Sequence, residues 1–205
     1  PDVPMVVQEI NPQHMDLIPY QRKRLGTSRG FVAVKPNCSI QSYAPVLTAW
    51  MDFEPYEAVV STYQAISGAG KTFQDWPEME GNIIPFIGGE EEKSEKEPLR
   101  IWGRLKDGVI EPAEEHVITR QCIRVPVLKG HTDSQFVKFK KKSIEKEQLI
   151  EKLVSYSGLP QQLALPSAPK QFIRYLEEDN RPQVKLDVNF ENGKGISVGR
   201  IRQDS

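Results

Sequence analysis

Cys38 follows Pro36-Asn37 and precedes Ile40, Ala44, Leu47 and Met51, whose spacing is that of one helical face. Its sulfur is therefore expected where a strand turns into a helix. Free N–H groups and partial positive charge at a helix N-terminus stabilise a thiolate. A reactive thiol is one reading, and a buried structural cysteine is the other. Arg124 and His131 flank a Pro- and Gly-containing connection, Arg124-Val125-Pro126-Val127-Leu128-Lys129-Gly130-His131. An arginine offers a rigid two-pronged donor for carboxylate or phosphate, and a histidine moves protons near neutral pH. Their plainer readings are an interstrand arginine and an exposed turn histidine. Glu90 and Lys93 are three apart and share a helix face, as a surface ion pair or as joint contacts to an anionic substrate. Ser67-Gly68-Ala69-Gly70-Lys71-Thr72 resembles the end of a phosphate-binding loop. Ala65 stands where that loop needs its first glycine, and Phe73-Gln74-Asp75-Trp76-Pro77 does not open a helix. The glycines fit better as a stretch of backbone that a ligand approaches closely.

The composition excludes several classes. The 205 residues carry 27 basic and 28 acidic side chains, a net charge of −1, so no nucleic-acid or membrane-surface partner is expected. No apolar run approaches the roughly 18 residues of a membrane span. Two cysteines make no disulfide framework. No CxxC occurs, and His14, His116 and His131 lack ligand spacing, so no metal is expected. No basic or apolar leader is evident, which makes a soluble cytoplasmic protein the default. The chain starts without methionine and stops just after a strand-like run, and so reads as a piece of something longer.

The elements that must position these residues are read as follows. Residues 3–10 and 31–34 are strands, around a helix over about 12–18 and a basic loop over 20–29. A helix runs from Cys38 to about Met51, and residues 56–66, rich in Val, Thr and Tyr, form a strong strand. A Gly- and Pro-punctuated loop reaches residue 89. A helix over 90–105 contains Pro98, which calls for a kink or a late start. Two strands, 116–127 and 131–141, are joined by Leu128-Lys129-Gly130. An amphipathic helix follows over 143–156, capped by Ser143. Residues 171–176, 184–190 and 196–201 complete the list as strands, the last two joined by a hairpin at Glu191-Asn192-Gly193-Lys194-Gly195. The order predicts an α+β domain with a mixed, largely antiparallel sheet and helices packed on one face. No Gly-rich βαβ unit precedes it.

Four pieces in order resemble one family. Pro36-Asn37-Cys38-Ser39 resembles the nucleophile turn of aspartate-semialdehyde dehydrogenases, and the stretch from Asn189 to Arg202 resembles their fungal and archaeal branch. Tyr63-Gln64-Ala65-Ile66-Ser67-Gly68-Ala69-Gly70, Glu90-Glu91-Glu92-Lys93 and the Arg124-to-His131 stretch are similar to that family's further motifs. The resemblance implies a fold like the C-terminal domain of glyceraldehyde-3-phosphate dehydrogenase. It implies NADPH-dependent reductive dephosphorylation of β-aspartyl phosphate to aspartate β-semialdehyde, on the route to threonine, methionine and lysine. Cys38 would be the nucleophile, His131 the acid/base, and Gln64 would orient the intermediate. Arg124 would clamp the substrate carboxylate, Glu90 would face its ammonium, and Lys93 would hold the phosphate. Asn37 would also bind substrate, and Ser67, Gly68 and Gly70 would approach the nicotinamide. The resemblance further implies that residues 1–205 are the catalytic and dimerisation domain, without the NADP-binding Rossmann domain and the terminal helix. The chain would form a homodimer through its sheet and be inactive alone. A catalytically silent dimerisation module remains open, as does a related acyl-phosphate reductase such as N-acetyl-γ-glutamyl-phosphate reductase.

Overall fold

The computed structural model describes residues 3–204. Its centre is a three-stranded sheet in the order β4 (Val117–Arg124), β1 (Pro55–Gln64), β5 (Thr132–Phe139). β1 runs parallel to β4 and antiparallel to β5. Helices α2 (Ile40–Ala49), α3 (Glu90–Ile101) and α4 (Lys146–Val154) lie on one side of it. This is the expected α+β architecture with a mixed sheet and helices on one face.

Alternation along β1 divides the sheet. Ala58, Val60, Thr62 and Gln64 are buried, whereas Val59 and Tyr63 are exposed. The register stacks three-residue rows on the packed face: Ile118–Ala58–Val137, Arg120–Val60–Gln135, Cys122–Thr62–Asp133. The face thus passes from apolar to polar along β1. The apolar end meets Ile40, Tyr43, Val46 and Leu47 of α2, Ile101 of α3 and Leu153 of α4. Burying each large side chain of this kind contributes about 1.5–3 kcal/mol.

The helix α3 covers the outer edge of β4. The backbone N–H groups of Arg120 and Cys122 donate to Glu95 Oε1 and Glu91 Oε1, both at 3.1 Å. Four helical residues rise about 6.0 Å and two strand residues about 6.6 Å, so carboxylates at i and i+4 match donors at j and j−2. The next such donor, Arg124 N–H, reaches Ile84 O at 2.8 Å. Two glutamates of the acidic run thus serve as an edge cover for a strand.

Pro98 causes neither a kink nor a late start, because α3 is continuous from Glu90 to Ile101. Proline has no N–H to give the carbonyl of Ser94, four residues back. The Tyr43 hydroxyl donates to that carbonyl instead, at 2.6 Å.

Several expectations are corrected. The strands around residues 117–124 and 132–139 are not neighbours, because β1 lies between them. Residues 3–10 and 31–34 share a single bridge, Met5–Val34. The helix predicted over 12–18 is a 3-10 turn, Pro12–Leu17, and α1 (Ile18–Leu25) then runs into the basic stretch. α2 begins at Ile40, leaving Cys38 in the turn before it. The cap of α4 is Glu145, paired with Gln148 in a capping box, while Ser143 sits at φ 59°. The hairpin β2 (Arg104–Lys106) and β3 (Val109–Glu111) was not foreseen, since three-residue strands carry no readable period. Residues 184–190 are helical, as α6 (Val184–Asp187) and a 3-10 turn, because Asp187 is drawn inward. Its carboxylate accepts from Arg174 Nη2, both prongs of Arg181 and Gln183 N–H. With that segment helical, β6 (Ile173–Leu176) and β7 (Ile196–Gly199) pair in parallel and no hairpin forms at 191–195. A short helix α5 (Leu159–Gln162) lies in the predicted loop.

Candidate active site

Strand direction gathers the polar end of the sheet. The parallel pair β1 and β4 ends at Gln64 and Arg124, which are in register, and antiparallel β5 begins there, with Thr132 opposite Tyr63. The start of α2 sits over the same polar end, since Ser39 Oγ accepts from Arg120 Nη2 at 3.2 Å. Cys38 and His131 meet there, with His131 Nε2 at 3.2 Å from Cys38 Sγ.

The backbone of one residue, Ala65, orients both basic side chains. The N–H of Ala65 donates to His131 Nδ1 at 3.1 Å, and its carbonyl accepts from Arg124 Nη1 at 2.7 Å. A backbone N–H can only donate, so Nδ1 is an acceptor without a proton. The proton of the neutral imidazole is then on Nε2, directed at the sulfur. Burial pushes His131 below the ordinary histidine value; neighbouring Arg124 and Lys35 act in the same direction and Glu90 opposes them. Burial likewise lowers Arg124. Among the described residues, the Arg124 side chain has no protein acceptor besides Ala65 O, so the rest of the fork is available to an anion.

The turn carrying Cys38 is held from two sides. Asn37 Oδ1 accepts from Ser39 N–H and Ser39 Oγ, both at 2.9 Å. Asn37 Nδ2 donates to Glu90 Oε2 at 2.6 Å, and Asn37 N–H donates to Glu97 Oε2 at 2.8 Å. Gly68 approaches from the third side. A Cβ there would lie 2.9 Å from Arg124 Nη1 and 3.2 Å from His131 Cε1, so a side chain at this position would push the Arg124 guanidinium and the His131 ring from their places.

The structure therefore brings Cys38, His131, Arg124, Asn37, Glu90 and Gly68 into one cluster. Gln64 lies beneath it, almost fully buried, with Nε2 donating to Thr62 Oγ1 at 3.2 Å. Lys93 is exposed one turn beyond Glu90, and no contact among the described residues ties it to the cluster. Ser67 and Gly70 are exposed around the 3-10 turn Ile66–Ala69. Cys38 and His131 also line a cleft of about 1160 Å3 that runs along β5 to β7, and the other eight sequence-predicted residues do not line it. Sequence reasoning missed Ala65, which acts through its backbone and leaves no side-chain signal. It also missed Glu97, one more glutamate in a charged run, and Lys35, whose position before Pro36-Asn37-Cys38 was the available hint.

Comparison with known proteins bears on the family of the chain. A sequence profile described as "Semialdehyde dehydrogenase, dimerisation domain" matches residues 45–205. Aspartate-semialdehyde dehydrogenase from Methanothermobacter thermautotrophicus is 41% identical over 210 residues, covering 100% of this chain and 58% of that protein. The Schizosaccharomyces pombe enzyme of that name is 42% identical, covering 100% of this chain and 59% of that protein. The crystal structure of aspartate semialdehyde dehydrogenase with NADP from Candida albicans superposes with a TM-score of 0.86 at 34% identity, over 100% of this chain and 59% of that one. The chain thus spans less than two thirds of the length of these relatives. The profile match extends over more than half of the chain, and on that ground the chain belongs to the aspartate-semialdehyde dehydrogenase family, in the region of its dimerisation domain.

Proposed function

We propose that the chain is the catalytic and dimerisation part of an NADP-dependent aspartate-semialdehyde dehydrogenase, active in a longer protein that also carries a nucleotide-binding domain. The observation that carries this reading is the 3.2 Å contact between Cys38 and His131 at the start of α2. In this reading the Cys38 thiolate attacks the carbonyl carbon of β-aspartyl phosphate, the C–O bond to phosphate breaks, and a thioester on Cys38 remains. Covalent catalysis of this kind splits one hard step into two. His131 holds its Nε2 proton against the sulfur and so stabilises the thiolate both before attack and after the aldehyde leaves. Arg124 presents its free prongs to the substrate carboxylate. Glu90 has one carboxylate oxygen engaged by Asn37 and offers the other to the substrate ammonium. Lys93 and Lys35 supply positive charge for the departing phosphate. Gln64 supports the site from below, and Asn37 shapes the turn.

The residues present fit one end of a dinucleotide. The loop at 67–70 is exposed; Gly68 packs against His131 and Arg124, which sets the loop beside the site, and the space beside Gly70 is open. Ser67, Gly68 and Gly70 would hold the nicotinamide, which supplies the hydride that reduces the thioester to the aldehyde. A reducing, cytoplasmic setting belongs to the proposal, because Cys38 must stay a free thiol. No helix among the described residues is long and apolar enough to cross a membrane. The uncovered sheet face is proposed as the surface through which two copies pair.

The test is turnover by the full-length protein with aspartate semialdehyde, phosphate and NADP, followed as reduced nicotinamide. Cys38→Ala is expected to remove activity while the protein stays folded, because the side chain is only half-buried. Retained turnover would end the assignment of Cys38.

A further inference from the structure

Glu90, Ser94 and Glu97 lie at i, i+4 and i+7 on α3 and so share one face. All three touch the segment around the thiol. Glu90 takes the side-chain amide of Asn37, and Ser94 pairs its hydroxyl with Ser39 Oγ at 3.3 Å. Glu97 takes the backbone N–H of Asn37 at 2.8 Å. The neighbouring face, Glu91 and Glu95, is occupied with the edge of β4. α3 is thereby fixed to the sheet on one face while its other face receives the turn. Since β4 carries Arg124 and pairs in register with β1, the chain of bonds from Glu97 through α3 to the sheet ends at Arg124 and at Ala65, which holds His131.

We propose that Glu97 is a positioning residue for the nucleophile turn, setting the place of Cys38 relative to His131 through the backbone of Asn37. The proposal rests on the reading of Cys38 as nucleophile. Glu97 is bonded to the backbone next to the thiol, so displacing its oxygen displaces the peptide that leads into Cys38. The Asn37 N–H is a donor in a half-buried turn and keeps its geometry only while an acceptor stands at the right reach. What matters is the position of one acceptor oxygen, and a second-best position costs reactivity steeply, since a misplacement of about 1 Å lowers rates by up to about a hundredfold.

Two variants separate position from charge. Glu97→Gln keeps a carbonyl oxygen at the same reach and loses the charge. Glu97→Asp keeps the charge and draws the oxygens back by one methylene. In the full-length protein, iodoacetamide alkylation of Cys38 against pH and the separate kcat and KM are measured for both, with thermal melting as the check on folding. Expected is that Gln retains most of the wild-type alkylation rate and kcat. Asp is expected to lose about tenfold or more in both, with KM little changed. Equal behaviour of the two variants, or Asp above Gln, overturns the proposal. Cys38→Ala runs alongside. If it keeps turnover, the nucleophile reading fails; if it is inactive while the Gln and Asp variants match wild type, Glu97 alone loses its role.

Discussion

His131 illustrates how little of a site its side chains decide. The ring is oriented by the N–H of Ala65, which leaves the Nε2 proton facing Cys38. A second proton would have to sit on Nδ1, opposite a donor, and burial with Arg124 nearby opposes it further. His131 is therefore expected to titrate below 6.5, staying neutral where a free histidine has begun to charge. Glu90 pulls the other way, so Glu90→Gln should lower the midpoint again and Arg124→Gln should raise it. Proton NMR of the imidazole Cε1–H against pH measures this, and a midpoint above 6.5 in the unaltered protein would count against the tautomer. The types Cys38, Arg124 and His131 and their order were legible in the sequence. The Ala65 backbone that joins two of them was not, because a backbone group has no residue type.

At the scale of elements, α3 carries a proline, a run of glutamates and two packed faces. The Ser94 carbonyl that Pro98 leaves free is taken by Tyr43, which is fully buried. Tyr43→Phe removes that donor and strands the carbonyl, at a cost of about 1–3 kcal/mol. Chemical denaturation should show this loss, and an unchanged midpoint would mean that water takes over the carbonyl. The helical periods of α2 and α4 and the β-rich run of β1 were readable because each is long enough to repeat. Residues 184–190 were not. Val184, Leu186 and Val188 alternate as a strand does, yet Val184 and Val188 are also one helical turn apart, and the tie was broken by Asp187 bonding to Arg174 and Arg181. The order of strands in the sheet was hidden for a similar reason. A short connection such as 125–131 suggests a hairpin, and only the whole fold places β1 between β4 and β5.

For the whole molecule, the sheet has one face under helices and one face bare. The bare face carries Val59, Tyr63, Val117 and Phe136, exposed by 38–61% and set among Thr119, Ser61 and Gln121. Monomers rarely leave such apolar surface uncovered, and a stable pair requires about 800 Å2 from each partner. A dimer through this face is expected by sedimentation. Val59→Lys, in the middle strand, should convert it to monomers without unfolding it; a dimer that survives the change would place the interface elsewhere.

The central claim is that Cys38, set against His131, takes up the acyl group. It is tested most directly by mixing the full-length protein with β-aspartyl phosphate in the absence of NADPH, quenching in acid and mapping the acylated peptide by mass spectrometry. The account predicts an aspartyl thioester on Cys38, none on buried Cys122, and no adduct in Cys38→Ser. An adduct on another residue, or none while the same protein turns over with NADPH, would contradict it.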